Sequence, residues 1–199
     1  SNGSTDRNFT LTASTTSEIH VSNAATTLTI SGTSASTNGA LTKNGSGTLV
    51  LSGNNGHSGA TTINAGTLVL SGTNTGSAVT INSGGSLLSA TSIGSTTVNS
   101  GGKIAPGASA NSVASLTVSG LTLNSGGTYT WDMSNATGAA GTGWDRIASS
   151  GLLTIGATSG SKFNIAITSS GVPTNWDYTN SGQTWDIITY GSLSGFSAD

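Results

Sequence analysis

Apolar and polar residues alternate in short runs along most of the chain. In "TLVL", residues 48–51, Leu49 and Leu51 fall on one side and Thr48 and Val50 on the other. That is the period-2 pattern of a strand. "TTIN" at 61–64, "VTIN" at 79–82 and "TTVN" at 96–99 alternate in the same way. Ser-Gly, Asn-Gly and Ala-Gly pairs punctuate the runs. No segment holds a helical period over a useful length. The pattern predicts an all-β chain of short strands.

The strands repeat. "GTLVLSG" opens at Gly47 and again at Gly66. Its apolar position continues through Leu49, Leu68, Leu87 and Ile104, at spacings of 19, 19 and 17. The partner run gives Ile63, Ile81 and Val98, 18 and 17 apart. Two ladders at roughly 17–20 residues per repeat indicate a solenoid. With no crossover helix, equivalent strands pair by coiling. The expected fold is therefore an all-β parallel β-helix with both ladders facing inward. Ten or so rungs rising about 4.8 Å each would make a rod on the order of 50 Å long. Gly66, Gly84 and Gly101 close successive repeats, where a sharp turn calls for positive φ. Asn64, Asn82 and Asn99 recur just before that turn. Their spacing lets the side chains bond to one another along the axis; Asn also tolerates the left-handed backbone there, a second reason for it to recur.

Composition narrows the classes. Charged residues are 6% of the 199, against roughly 25% in ordinary globular domains. The net charge is only −2 and β-branched residues recur regularly, which argues for order rather than disorder. There is no cysteine, so disulfides and thiolate metal sites are excluded. No apolar run approaches the roughly 20 residues of a spanning helix, so this chain is not expected to insert in a membrane. Scattered Lys and Arg argue against nucleic-acid binding. The chain opens at Ser1 rather than Met, as expected of a processed or trimmed product.

"GALTKNGSGTLVLSGNNGHSGATTINAGTLVLSG", residues 39–72, resembles the autotransporter-associated β-strand repeat. "GGKIAPGASANSVASLTVSGLTLNSGGTYTWDM", residues 101–133, and "WDRIASSGLLTIG", residues 144–156, resemble the passenger rungs that follow it. The resemblance covers roughly residues 39–156. It implies a right-handed β-helix, export, and display outside the cell or at the bacterial surface. It carries over no catalytic residues, because the repeat is a scaffold motif.

The ends differ from the middle. Residues 1–18 form a polar segment, expected as a cap or an exchanged strand; 19–128 hold the regular repeats; 129–199 form aromatic-rich rungs and a cap or junction. Nine of the ten aromatics lie between Tyr129 and Phe196. All four tryptophans precede aspartate: Trp131, Trp144, Trp176 and Trp185 before Asp132, Asp145, Asp177 and Asp186. Strand alternation predicts one member of each pair inside and the other outside. A solenoid's open ends expose unpaired edges that invite another chain. The candidate junction residues are Trp176, Tyr178, Trp185, Tyr190 and Phe196 at one end, and Phe9 at the other.

Chemistry has little material to work with. Between residues 19 and 128 there is no Asp or Glu, and the cations are Lys43 and Lys103. Glycoside hydrolysis needs two placed carboxylates. Asp145 and Arg146 read as a rung-edge ion pair. Lys162 and Phe163 read as an exposed–buried strand pair. His57, in "NNGHSG", reads as a solvated loop residue, and two lone histidines do not make a metal site. No catalytic residue, metal or cofactor is expected. The expected function is a non-catalytic extracellular structural element that associates with itself, head to tail, into a fibre or filament. The alternative is an adhesin gripping a glycan or host surface, and a polysaccharide lyase or hydrolase is a distant third.

Overall fold

The computed structural model describes residues 2–169, 171–176 and 182–195. Among them there is no helix, and the chain winds through eight coils. The first four coils contribute two strands each: β1 (Gly3–Thr5) and β2 (Thr16–His20), β3 (Thr27–Ile30) and β4 (Ala40–Asn44), β5 (Thr48–Leu51) and β6 (Thr61–Ile63), β7 (Gly66–Leu70) and β8 (Val79–Ile81). The next four contribute three: β9 (Gly85–Ser89), β10 (Ser92–Ile93) and β11 (Thr96–Val98); β12 (Lys103–Pro106), β13 (Ser115–Val118) and β14 (Leu121–Asn124); β15 (Thr128–Asp132), β16 (Arg146–Ser149) and β17 (Leu152–Gly156); β18 (Asn164–Thr168), β19 (Ile188–Thr189) and β20 (Ser192–Ser194).

Equivalent strands pair in parallel, coil upon coil. One eight-stranded sheet runs from β1 to β18, a second from β2 to β20, and a four-stranded third from β10 to β19. In the early coils single bridges, Phe9 to Ser34 and Ser34 to Asn55, take the place of the third sheet. This is a parallel β-helix. Eight coils make a stack about 34 Å high, shorter than the ten or so rungs expected. Residues are spent elsewhere. The coils from Thr27, Thr48, Thr67 and Ser86 take 21, 19, 19 and 17 residues to reach the next equivalent position. Those from Lys103 and Thr128 take 25 and 36. The surplus lies in excursions at 107–114 and 133–145, which alternate poorly and so gave no strand signal.

Register places Leu49, Leu68, Leu87 and Ile104 in one column, and Ile63, Ile81 and Val98 in another. All seven are fully buried. Thr62, Thr80 and Thr97 alternate outward between them. Gly66, Gly84 and Gly101 have φ of +65°, +85° and +75°. At Gly66 a Cβ would meet the Gly47 carbonyl oxygen at 2.4 Å, so the corner has no room for a side chain.

Polar side chains are ordered along the axis. The Asn64 amide donates to Asn44 Oδ1 at 3.0 Å, Asn82 to Asn64 at 2.8 Å, Asn99 to Asn82 at 2.9 Å and Asn124 to Asn99 at 2.8 Å. The chain of amides thus extends one coil beyond the three repeats on each side. At its N-terminal end the Asn44 side chain hydrogen-bonds Glu18, holding that exposed carboxyl below its usual range, with His20 adding a smaller effect.

Two polar residues lie inside the stack. His57 is buried, not solvated. Its Nδ1 lies 3.4 Å from Ser34 Oγ and its Nε2 2.9 Å from Thr61 Oγ1, which in turn meets Ser77 Oγ at 2.8 Å. The loop folds inward because neighbouring coils supply these hydroxyls. Lys43 is also fully buried, in the column between Ile19 and Ile63. Its ammonium donates to the carbonyls of Asn44, Gly45 and Ala65 at 2.9, 2.8 and 3.0 Å. It gathers three carbonyls at a tight corner, of which that of Asn44 also accepts the Val21 N–H at 3.1 Å.

Candidate functional site: the C-terminal coil face

The interior changes in the seventh coil. Above Ile104 the column widens to Tyr129, and two residues further along β15 comes Trp131, both buried. Trp131 Nε1 donates to the Asp145 carbonyl at 2.7 Å. Asp132, which should face outward by alternation, is buried as well. The strand ends there, and Asp132 accepts a hydrogen bond from the Thr168 hydroxyl. The inside–outside rule therefore fails for the first Trp-Asp pair.

The second pair is nearer the rule, with the aspartate inside. Asp145 is fully buried while Trp144 is half-buried. The Asp145 carboxylate accepts the Ala114 N–H at 2.7 Å and the Asp132 N–H at 3.0 Å. It holds the bases of both excursions to the coil. Arg146 forms no ion pair among the described residues, so the expected Asp145–Arg146 pair is replaced by these backbone contacts. Burial drives the Asp145 pKa up to about 7; the two N–H groups oppose the shift and Asp132 adds to it. Burial, with the same two carboxylates beside it, also pushes the Tyr129 hydroxyl well up. The Asp145 carboxyl thus serves the backbone, and that of Asp132 takes the Thr168 hydroxyl. Among the described residues no three His, Cys, Asp or Glu side chains cluster as a metal site.

The eighth coil lies on this base, and among the described residues no strand pairs with the outer edge of β18. Ile165 sits over Tyr129, Ile167 over Trp131 and Leu193 over Leu153, all in inward-facing columns. They are 48%, 73% and 41% exposed. Trp185 packs on Trp131 with centroids 6.0 Å apart and donates from Nε1 to the Ala136 carbonyl at 3.0 Å. Trp176 stacks on Trp185 at 5.7 Å, nearly parallel at 7°, and is 37% exposed. A cleft of about 610 Å³ opens here between Trp131, Met133, Ile167, Val172, Pro173 and Trp176. Tyr190 is half exposed at the same end. Ile165, Ile167 and Leu193 were not singled out from the sequence, although their parity in the last strands marks them as inward. Tyr178 and Phe196 lie outside the described residues. Lys162 and Phe163 precede β18 instead of forming a strand pair within it.

Phe9 lies at the opposite end, half-buried. Its N–H donates to the Thr33 carbonyl at 3.1 Å. The segment around it forms the molecule's own first coil, through β1 on β3 and β2 on β4.

Residues 41–70 match the family model described as passenger-associated-transport-repeat. The chain carries an autotransporter-associated repeat. The repeat coincides with the coils of β4 to β7, where the aliphatic ladder is most regular. Over 62 residues, 31% of this chain, the sequence is 56% identical to Adhesin BmaC autotransporter of Brucella suis biovar 1 (strain 1330). The matched region is 2% of that relative's length.

Proposed function

We propose that the chain is a non-catalytic structural segment of a bacterial surface passenger: a stiff β-solenoid, displayed outside the cell, that joins end to end with another solenoid segment. The observation that carries this is the stack itself: parallel coils in a continuous inward column, from Leu28 to Ile165, extend by adding coils. An apolar end with unpaired strand edges gains free energy by being covered. The passenger-type repeat and the likeness to an autotransporter adhesin support the extracellular setting. At this end the Asp145 carboxyl is held by two backbone N–H groups and that of Asp132 by the Thr168 hydroxyl, and among the described residues no ionisable side chain lines the cleft.

Negative-stain imaging tests it. At high concentration the intact chain should give rods joined end to end, and Ile167→Asp should give single short rods. Single rods from both proteins would refute the end-to-end role. A second function, glycan adhesion, is favoured by one observation: exposed Trp176, stacked on Trp185 beside a cleft, can stack on a sugar ring. Trp131, Trp144 and Trp185 are each at least half-buried, so the row of exposed tryptophans that an adhesive flank would need is absent among the described residues. Binding on a glycan array that is lost in Trp176→Ala would move the balance to adhesion.

A further inference from the structure

The excursion at 107–114 lies against the outer face of the first sheet, on the strands β9, β12 and β15. Gly107 turns the chain there with φ of +109°, and the Ser112 hydroxyl donates to the Ser109 carbonyl at 2.7 Å. The Asp145 carboxyl pins the end of the excursion at the Ala114 N–H. Between excursion and sheet is a cleft of about 130 Å³. Leu88 and Ala105, paired in register, line it from the sheet side. Asn111 lines it from the excursion, with a left-handed φ of +58°.

Charged residues are 6% of the chain, and this cleft takes one of each sign, Lys103 and Asp132. Lys103 is exposed and makes no ion pair among the described residues. Asp132 is only 2% exposed. One of its oxygens takes the Thr168 hydroxyl, and the other has no hydrogen-bond partner among the described residues. A carboxyl oxygen so nearly buried is costly unless a donor meets it. Asp132 stands four residues beyond Thr128, the register partner of Lys103, which is about 13 Å along the strand direction. With the lysine stem folded inward, one sugar ring bridges the remaining gap with a hydrogen bond on each side. An α-amino acid carries its two charges on neighbouring carbons, too close together to meet both. The two charges of the cleft cancel, so they favour a ring without charge.

We propose that this lateral cleft binds one neutral hexose ring, the terminal unit of a glycan. One ring hydroxyl donates to the spare Asp132 oxygen and another accepts from the Lys103 ammonium. The C–H face of the ring lies on Leu88 and Ala105, and the Asn111 amide meets the hydroxyls on the open side. An apolar floor with a few convergent polar groups is the usual build of a small-molecule site. The cleft has the volume of about four waters, so a ring enters by one face and a threaded chain does not. The site is apart from Trp176 and from the C-terminal coil, and it stands independently of the end-to-end role.

Nuclear magnetic resonance titration of the isotope-labelled intact chain tests this. The probes are the methyl glycosides of glucose, galactose and mannose, with sodium glucuronate and alanine for comparison. At least one neutral glycoside should shift the amides of Ala105, Asn111 and Thr130 together. Its Kd should be on the order of 1 mM, the strength that about a dozen heavy atoms give. Lys103→Met should weaken that binding roughly tenfold, the loss of one charge-assisted hydrogen bond. Asn111→Gly, which keeps the left-handed backbone, should weaken it as well, and both variants should keep the parent's urea midpoint. Tighter binding of alanine or glucuronate overturns the ligand class. Shifts centred on Trp176, lost in Trp176→Ala and kept in Lys103→Met, overturn the site in favour of the other cleft. No shift of the three amides at sugar concentrations about a hundred times that Kd overturns the proposal outright and leaves the end-to-end role untouched.

Discussion

Burial shifts the proton affinity of Asp145, His57 and Lys43. Asp145 has a folded pKa of about 7, above its ordinary 3.8. The folded state therefore holds the extra proton between those values, and stability falls as pH rises through that window. His57 is shifted down by burial. Its unfolded form takes the proton first, so its contribution is lost as pH falls below about 6.5. The two act in opposite directions below neutrality, and variants separate them. Asp145→Asn should flatten the loss of stability between about pH 4 and 7, and His57→Gln should reduce the acid sensitivity, both read from urea midpoints across pH. A wild-type-like pH profile in Asp145→Asn would mean the carboxyl stays ionised throughout. Lys43 is shifted down by burial too. Lys43→Met should cost about 2 kcal/mol by leaving buried carbonyls unpaired, measurable in the same denaturation series. These three were the least legible residues in the sequence. Charge and a Gly-rich context both point to solvent, and some of the groups that receive them, the Ser34 hydroxyl, the Ala65 carbonyl and the Ala114 N–H, come from other coils. Only Lys43 left a trace: in "ALTKN" it shares the parity of Leu41.

At the level of the strand, alternation and spacing carry the fold. The 17-to-19-residue spacing of identical phrases is legible because each coil must return to the same column. The excursions at 107–114 and 133–145 have no alternation and were invisible as structure. Ile81 is fully buried between Ile63 and Val98, while Thr80 faces outward. Ile81→Asp should cost several kcal/mol by placing an unpaired charge in the stack. Thr80→Ala should change stability by less than about 0.5 kcal/mol. Equal losses in denaturant unfolding would mean that the faces are reversed. Asn74 offers the converse test. It is fully buried, and neither amide atom has a hydrogen-bond partner among the described residues. The next coil places Ile93 against it. Asn74→Val should stabilise by about 1 kcal/mol, since an unsatisfied buried amide is removed; a lower midpoint would show that the amide is satisfied in solution.

On the scale of the whole molecule, the two ends are chemically unequal. The first coil ends the stack with Gly3, Thr5 and Ser17 in columns that are apolar further along. The last coil leaves Ile165, Ile167 and Leu193 open beside a tryptophan-lined cleft. The sequence showed that aromatics gather at the C-terminal end. It could not show which of them are exposed, because Trp131 and Trp185 are drawn inward by a carbonyl partner each. The aliphatic residues of the last strands look like any other core positions in the sequence, and only the structure shows Ile165, Ile167 and Leu193 exposed. Association through that end is the central claim, and sedimentation velocity of the intact chain over a wide concentration range tests it most directly. The sedimentation coefficient should rise with concentration, and Ile167→Asp should hold it at the monomer value with the fold unchanged by circular dichroism. A single concentration-independent coefficient for the intact chain, or an equal rise in Ile167→Asp, would contradict the claim.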